Sequence, residues 1–314
     1  MADKLVSTRD AFGKALANIK NKDVVVLDAD VGTSTKTNAF KDKYPDRFIE
    51  VGIAEADMIG TAAGLASCGK IAVASSFAAF ATGRCYDQIR ASVAYPELNV
   101  KIVGTHAGIT VGEDGATHQM LEDINLMRGM PNMVVLSPSD DIASENLVKE
   151  MIDYEGPVYM RISRMETKSI YTNKTKFKIG KANQIGNGKD ACIFATGEMV
   201  QIALEAQAIL ADQGVDIRVV DVYSIKPIDV KTIVKCSEES ELLYSLEDHS
   251  IIGGLGSAIA EVLVEEYPKK LVRFGMDDEF GRSGKGSDLL NYYGLDANKI
   301  VEKILADYNE NIEE

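Results

Sequence analysis

The chain has 314 residues, of which 46% are hydrophobic, enough for two domains of ordinary size that each have a core. Its formal charge is −14, from 34 basic and 48 acidic residues. This charge argues against nucleic acid or an anionic membrane as the main partner, because both are bound through clustered cations, so an anionic substrate has to be bound by a few local bases.

The first half of the chain alternates short apolar segments with segments of helical periodicity. Five segments are rich in β-branched residues and almost wholly apolar, as is typical of strands covered on both faces: 24–28, 71–75, 100–104, 133–137 and 158–162. Apolar positions three and four apart predict helices between them at 55–67, 86–94, 121–127 and 142–152. This alternation predicts a parallel sheet with helices on both faces.

A lysine-rich segment with few apolar residues, between Glu166 and Asp190, interrupts this pattern and predicts a linker. The alternation then restarts, with strands predicted at 191–195, 217–222, 242–247 and 271–275 and helices at 199–213, 228–235, 255–266 and 297–309. The expected fold class is therefore α/β with two doubly wound domains. We predict a larger domain over 1–170, a linker over 171–189 and a smaller domain over 190–314.

The termini and the cysteines bear on the cellular compartment. The N-terminus lacks a basic segment followed by an apolar one, and no window approaches 18 uninterrupted apolar residues, so we expect neither export nor a membrane span. The four cysteines have no CxxC spacing, which favours reduced, mostly buried thiols in a cytoplasmic protein over disulfides or zinc. With only three histidines, we predict no metal site within this chain.

Two segments offer a choice between packing and ligand binding. Gly52-Ile-Ala-Glu55 opens a predicted helix, where an acid in the first turn is most simply explained by the helix dipole, worth roughly 0.3–1 kcal/mol. The alternative is a carboxylate held at the carboxyl edge of a parallel sheet, where ligands bind. Phe77 and Phe80 lie one helical turn apart after the next strand and are either core residues or a surface that stacks on a flat heteroaromatic ring.

The segment after the strand at 100–104 is different, because packing alone does not explain it. It reads Thr105-His-Ala-Gly-Ile-Thr-Val-Gly-Glu-Asp-Gly-Ala-Thr-His-Gln119. Loops that follow parallel strands carry binding groups, and two imidazoles beside two carboxylates suit general acid–base chemistry. Further on, Arg161-Ile-Ser-Arg164 ends the last strand of the first domain, where an arginine suits bidentate contact with phosphate or an ordinary surface salt bridge.

Taken together, several motifs resemble those of transketolases in order and spacing, from about residue 5 to the end. They are Arg9 in Ser-Thr-Arg-Asp-Ala-Phe-Gly, Asp28-Ala-Asp-Val-Gly-Thr-Ser-Thr35, Val51-Gly-Ile-Ala-Glu55, Ser76-Phe-Ala-Ala-Phe80, Tyr86-Asp-Gln-Ile-Arg90, Gly112-Glu-Asp-Gly115, Met160-Arg-Ile-Ser-Arg164 and Glu247-Asp-His249. The resemblance covers only the second half of a transketolase, a pyrimidine-binding domain followed by a C-terminal domain. Gly83 stands where many transketolases have tyrosine, and the segment 81–86 holds one extra residue.

The resemblance implies a thiamine diphosphate enzyme that is divided between two polypeptides. The family holds the diphosphate and its Mg²⁺ with an N-terminal domain that carries a Gly-Asp-Gly motif and a later Asn, and this pair is missing here. The chain thus resembles the C-terminal subunit of a split transketolase, active only with a separate N-terminal subunit in an α2β2 heterotetramer. The implied reaction is transfer of a two-carbon ketol unit from a ketose phosphate to an aldose phosphate in the pentose phosphate pathway.

The resemblance also implies a role for particular residues. Glu55 matches the catalytic carboxylate that hydrogen-bonds the aminopyrimidine ring, Phe77 and Phe80 match the aromatics that pack on that ring, and Asp30 matches a residue near the thiazolium. Sugar-phosphate binding falls to Arg9, Ser34, His106 and Arg164, and contact with substrate hydroxyls to Asp114 and His118, of which His118 is also catalytic.

Three alternatives remain open. The β-type E1 subunit of a 2-oxo acid dehydrogenase shares the Gly-Ile-Ala-Glu element, and a deoxyxylulose phosphate synthase fragment shares some motifs. The Gly-Glu-Asp-Gly-Ala-Thr-His segment and Arg164 favour a sugar phosphate over the first, and the second half of the chain fits the other less well. A regulatory subunit with a decayed site is disfavoured by the intact Glu55 and His118.

Overall fold

The computed structural model describes residues 5–313 and consists of two α/β units; the predicted domain ends at residues 1 and 314 lie outside this range. Its strands are β1 (Leu5–Ser7), β2 (Val24–Asp28), β3 (Phe48–Glu50), β4 (Ile71–Phe77), β5 (Val100–Thr105), β6 (Val134–Leu136), β7 (Val158–Arg161), β8 (Glu166–Lys168), β9 (Asn183–Ile185), β10 (Ala191–Ala195), β11 (Ile217–Asp221), β12 (Ser224–Lys226), β13 (Leu242–Ser250) and β14 (Val272–Met276).

Its α-helices are α1 (Thr8–Ala17), α2 (Gly32–Thr35), α3 (Asn38–Lys43), α4 (Glu55–Ser67), α5 (Tyr86–Gln88), α6 (Asp123–Arg128), α7 (Asp141–Asp153), α8 (Met199–Ala211), α9 (Val230–Glu238), α10 (Leu255–Glu266), α11 (Gly286–Tyr292) and α12 (Ala297–Glu313). Two π-helical segments, Ala79–Arg84 and Ile89–Ala94, flank α5, and 3₁₀ turns occur at Pro45–Arg47 and Ile109–Val111. Within the described range, no helix combines the length and apolar character needed to cross a membrane.

The first unit is a seven-stranded sheet with helices on both faces. Its strand order is β12-β6-β7-β5-β4-β2-β3, and all neighbours are parallel except β12, which runs antiparallel to β6. Met58 of α4 and Ile89 pack in the core on one face, while Phe12 of α1 and Leu147 of α7 pack in the core on the other. A parallel sheet covered on both faces confirms the doubly wound architecture predicted for this unit.

The second unit repeats this arrangement with five strands in the order β14-β13-β10-β11-β9, of which only β9 is antiparallel. Ala203 of α8 and Ile300 of α12 belong to the core on one face, and Ile233 of α9 and Ile259 of α10 to the core on the other. The chain is therefore an α/β protein with two doubly wound units, as the sequence predicts.

Several element boundaries differ from the prediction. The predicted helix at 86–94 is a short α-helical turn followed by a π-helical segment, and the helix predicted from residue 228 begins at Val230 because the Asp229 side chain caps it by accepting from the Thr232 N–H. The predicted linker contains β9, which belongs to the second sheet. Conversely, β12 lies in the second half of the sequence and extends the edge of the first sheet.

The carboxyl ends of β2, β4, β5 and β7 lie along one edge of the first sheet. Because these strands are adjacent and parallel, the segments that follow them meet there, beginning after Asp28, Phe77, Thr105 and Arg161. This edge is where open α/β sheets bind ligands. The residues that the sequence singled out lie in these segments or at the start of the neighbouring helices α1 and α4.

Candidate active site

Glu55 opens α4 at a corner that is fixed by backbone conformation and by a second carboxylate. Gly52 has a φ of +70°, which favours glycine, and its N–H donates to Glu50 Oε1 at 3.1 Å. The same oxygen accepts from the Asp30 N–H at 2.8 Å, so Glu50 ties this corner to the loop after β2. Glu55 itself is only 3% exposed and accepts from Arg84 at 2.5 Å. An acid that interacts only with the helix dipole does not need such burial.

Phe77 and Phe80 form an aromatic surface with two histidines. The rings of Phe77 and Phe80 are near-parallel with centroids 6.1 Å apart, and the His106 ring stacks on Phe77 at 3.9 Å. The His118 ring stands edge-on to Phe80 at 5.3 Å. Both phenylalanines are half-buried, unlike the core residues around them, so the interpretation of this pair as core is wrong. Their partly exposed faces are available to a flat ligand.

His106 links this aromatic surface to Arg9. Because a guanidinium can only donate, the contact between Arg9 Nη1 and His106 Nε2 at 3.2 Å makes Nε2 the acceptor. The other nitrogen, Nδ1, lies 2.9 Å from Thr105 Oγ1 and carries the proton. Burial, aided by repulsion from Arg9 and Arg164, lowers the pKa of His106 to about 3. His106 is therefore neutral and positions Arg9, so it is poorly suited to act as a base at neutral pH.

Arg9 and Arg164 form a local cationic pocket in this acidic protein. Arg9 Nη1 donates to the Ser34 carbonyl at 2.9 Å, while Arg9 Nε is buried without a hydrogen-bond partner. Burial, together with repulsion from Arg164, lowers the pKa of Arg9. Arg164 donates to the Val111 carbonyl at 2.7 Å and lies 3.5 Å from Asp114. An unpaired buried donor beside a second guanidinium is an arrangement that an anionic group would satisfy.

Asp28 organises the loop that carries Asp30 and Ser34. The sequence motif contains Asp28 but does not predict this role for it. The buried carboxylate of Asp28 accepts from the Val31 N–H, Thr35 Oγ1 and Thr37 Oγ1, each at 2.7 Å. Burial raises the pKa of Asp28, although these hydrogen bonds act to lower it. Asp30 has a φ of +61° and is exposed, and Ser34 is half-buried. The loop therefore has a fixed backbone and presents short polar side chains.

His118 and Asp114 lie on the rim of the same site. His118 is half-buried, with Nδ1 2.9 Å from Thr117 Oγ1 and its ring against Phe80. Asp114 is exposed and faces Arg164. The structure thus brings all ten predicted site residues into the segments around one sheet edge.

Arg161, the first arginine of the Arg161-Ile-Ser-Arg164 segment, does not belong to this pocket. Its side chain is 3% exposed, and Nε lies 3.0 Å from Asp123 Oδ2, with Asp123 fully buried. Tyr159 donates to the same carboxylate at 2.6 Å, and Arg161 Nη2 donates to the Asp248 carbonyl at 2.5 Å. Alternation along β7 points Arg161 into the interface between the two units, which sequence periodicity does not reveal.

The second unit fixes the start of the loop at 105–119 through Asp248 of β13. The Asp248 carboxylate accepts from the Ile109 N–H at 2.9 Å and lies 3.2 Å from Thr110 Oγ1, which also donates to Glu198 at 2.5 Å. Burial and the neighbouring Asp248 raise the pKa of Glu198 to about 8, so this acid holds a proton at neutral pH. At Gly108 a Cβ would lie 1.9 Å from Asp248 Oδ2, which explains the glycine. Asp248, the middle residue of the Glu247-Asp-His249 motif, thus supports the loop.

Within residues 5–313, no group of three or more histidine, cysteine, aspartate or glutamate side chains is arranged to hold a metal ion. The candidate site therefore consists of one buried carboxylate, an aromatic surface and a cationic pocket, with His118 and Asp114 at the rim.

Comparison with known proteins identifies the family. Residues 4–169 match the model for the transketolase pyrimidine-binding domain, and residues 180–300 match the transketolase C-terminal domain. A relative from Methanocaldococcus jannaschii, described as "Putative transketolase C-terminal section", is 50% identical over 95% of both chains. The 6-deoxy-6-sulfo-D-fructose transketolase subunit SqwH of a Clostridium species is 41% identical over 93% of this chain and 92% of its own.

A solved structure agrees with these matches. It is described as a split gene transketolase, inactive beta4 tetramer, and it superposes with a TM-score of 0.90 at 44% identity over 97% of this chain and 99% of its own. The family models, the sequence relatives and the fold all agree with the resemblance in the sequence motifs. The chain belongs to the transketolase family and corresponds to its pyrimidine-binding and C-terminal domains.

Proposed function

We propose that the chain is the C-terminal subunit of a thiamine diphosphate-dependent transketolase. It would transfer a two-carbon ketol unit from a ketose phosphate to an aldose phosphate, together with a separate N-terminal subunit. The observation that carries this proposal is the buried Glu55 carboxylate beside the half-buried Phe77 and Phe80, with a cationic pocket at the same sheet edge. The carboxylate and the aromatic surface suit the flat nitrogen heterocycle of the cofactor. The cationic pocket suits the phosphate of the sugar substrate.

The residues present fit the pyrimidine end of the cofactor. A carboxylate that is 3% exposed suits a ring nitrogen whose protonation it controls, and the two phenyl rings suit the face of that ring. Bound thiamine diphosphate supplies the carbanion stabilisation that ketol transfer requires. The Glu55 carboxylate would accept a hydrogen bond from the ring nitrogen and exchange a proton with it, Phe77 and Phe80 would orient the ring and exclude water, and Asp30 lies on the neighbouring loop.

Substrate binding is assigned to the pocket around Arg9. Arg9 and Arg164 bind the phosphate, with Ser34 and the neutral His106 positioning it. Asp114 and His118 contact sugar hydroxyls, and His118 acts as an acid–base group at the rim. The Clostridium relative carries a sulfo sugar in its name, and a sulfonate is also a terminal anion. We propose a sugar phosphate of the pentose phosphate pathway for this chain.

The assembly is assigned from the relatives and from the motifs. One relative is described as a C-terminal section and a solved structure as a beta4 tetramer, which supports a partner subunit and self-association. We propose an α2β2 heterotetramer in the cytoplasm, in which the N-terminal subunit holds the diphosphate and Mg²⁺. The Gly-Asp-Gly motif for that task is missing from this sequence.

The change Arg164→Gln tests the phosphate pocket. In the reconstituted complex it should raise KM for xylulose 5-phosphate about 10–100-fold with little change in kcat, because a charge-assisted hydrogen bond contributes roughly 1.5–3 kcal/mol. Steady-state kinetics with D-xylulose, which has no phosphate, should show nearly equal values for the wild type and the variant. The control Arg128→Gln removes an arginine that pairs with Glu261. It should leave KM unchanged for both xylulose 5-phosphate and D-xylulose.

Arg164 also binds the Val111 carbonyl, so the variant could act by loosening the loop. Comparing the two ketose substrates separates a loss of phosphate binding from a loosening of the loop. If KM rises equally for xylulose 5-phosphate and D-xylulose, Arg164 acts on the loop and the proposed phosphate site is wrong.

A further inference from the structure

Arg84 makes two contacts that the proposed function assigns to the cofactor. Its Nη1 donates to Glu55 Oε2 at 2.5 Å, and its guanidinium carbon lies 4.6 Å from the centroid of the Phe80 ring. The Glu55 side chain is 3% exposed, whereas that of Arg84 is 49% exposed. The arginine therefore reaches from solvent across Phe80 to the buried carboxylate.

A guanidinium and an aminopyrimidine ring have similar recognition properties. Both are planar, present N–H donors in that plane and stack on aromatic faces. The carboxylate that Arg84 contacts is the one proposed to bind the ring, and Phe80 is one of the two proposed stacking partners. Since one volume cannot hold both groups, bound cofactor and Arg84 in this position exclude each other.

The backbone explains how Arg84 reaches this position. It is the last residue of the π-helical segment Ala79–Arg84, and a π-helical turn accommodates one more residue than an α-helical turn. This agrees with the extra residue at 81–86 relative to the transketolase pattern. Directly after it, Cys85 is buried and its Sγ donates to the Phe80 carbonyl at 3.3 Å, which fixes the end of the turn.

The contact also stabilises the buried Glu55 carboxylate. Burying a carboxylate without a partner is costly, and in this structure Arg84 is the cation paired with Glu55. The exposed half of Arg84 leaves it free to move outward when another donor takes its place. A competitor of this kind lowers the apparent affinity for the cofactor by the fraction of sites that it occupies.

We propose, resting on the proposed function, that Arg84 occupies the aminopyrimidine position in the cofactor-free subunit and must leave for thiamine diphosphate to bind. Arg84 is in this sense a positioning residue for Glu55 and a competitor of the cofactor. Its role predicts that removing the guanidinium tightens cofactor binding, whereas an arginine with a merely structural role would weaken it or leave it unchanged.

The test is a calorimetric titration of thiamine diphosphate, with Mg²⁺ present, into the reconstituted two-subunit complex. We expect Arg84→Met to lower the Kd about 10-fold and Arg84→Lys, which keeps the charge but loses the planar group, to lower it less. The control Arg47→Met removes an arginine that stacks on Tyr44 at 4.0 Å at the amino end of the sheet and should leave Kd unchanged. An unchanged or higher Kd for Arg84→Met overturns the proposal.

A second measurement uses the single chain and does not depend on the partner. In ¹H–¹⁵N spectra of the cofactor-free chain, the Arg84 Nε–H signal should shift on the change Phe80→Leu, because the ring current is lost, while the Arg47 signal stays in place. No shift overturns the stacked position of Arg84. Failure of the proposed function is distinguishable, since then neither the wild-type complex nor any variant binds thiamine diphosphate.

Discussion

The change Glu55→Gln in the reconstituted two-subunit enzyme is expected to lower kcat by about 10²–10⁴-fold, the range for loss of a positioned acid–base group. Glutamine keeps the size and most of the packing of Glu55 but cannot hold and release a proton. The side chain is 3% exposed, so no solvent group replaces it. The measurement is steady-state transfer from xylulose 5-phosphate to ribose 5-phosphate, with gel filtration to show that the complex still assembles.

Asp57→Asn provides the matched control. Asp57 is the other acid in the first turn of α4, so it interacts with the helix dipole in the same way as Glu55 but is more exposed. Its removal should change kcat less than about fivefold, because a dipole interaction is worth roughly 0.3–1 kcal/mol. Equal losses for the two variants would show that Glu55 acts only through the helix, and a near-wild-type rate for Glu55→Gln would refute its catalytic role.

The change Arg161→Met is expected to cause the largest loss of stability, about 3–5 kcal/mol in the free energy of unfolding. It leaves the Asp123 carboxylate buried at the interface of the two units without its cation, and it removes the hydrogen bond to the Asp248 carbonyl. The melting temperature should fall by about 5–15 °C. Chemical denaturation of the single chain, followed by circular dichroism, gives the free energy directly.

Two further variants show whether the burial of the ion pair causes this loss of stability. Arg164→Met removes an arginine three residues further on, whose pair with Asp114 is 41% and 46% exposed, and should cost about 1 kcal/mol or less. The double change Arg161→Met with Asp123→Leu should recover part of the loss, because the unpaired charge disappears. A loss below about 1 kcal/mol for Arg161→Met alone would contradict the account of this interface.

The sequence predicts the strands best where burial is uniform. The runs at 24–28 and 191–195 are apolar except for Asp28, because both faces of these strands are covered, and the structure has the same bounds. By contrast, β9 and β12 are three-residue edge strands whose pairing depends on distant parts of the chain. Local periodicity does not contain that information, so it predicts a linker at β9 and no strand at β12.

For the candidate site, the sequence predicts the position but not the contacts between its residues. A strand followed by polar loop residues predicts where the site lies, because parallel strands end at a common edge, and this places Glu55 and the loop at 105–119 correctly. The partners of these residues were not predictable. Asp248 contacts Ile109 across 139 positions, and Arg84 reaches Glu55 through a π-helical turn. The burial of Arg161 is not predictable for the same reason, because its partner Asp123 lies 38 positions away.

We propose that this chain holds half of an active site and that a separate N-terminal subunit completes it. The most direct measurement is ketol transfer from xylulose 5-phosphate to ribose 5-phosphate, with thiamine diphosphate and Mg²⁺, by the chain alone, the N-terminal transketolase polypeptide of the same genome alone, and the mixture. We expect activity only in the mixture, saturating at a 1:1 ratio of subunits. Full activity of the chain alone, or none in a mixture that forms a complex, would contradict it.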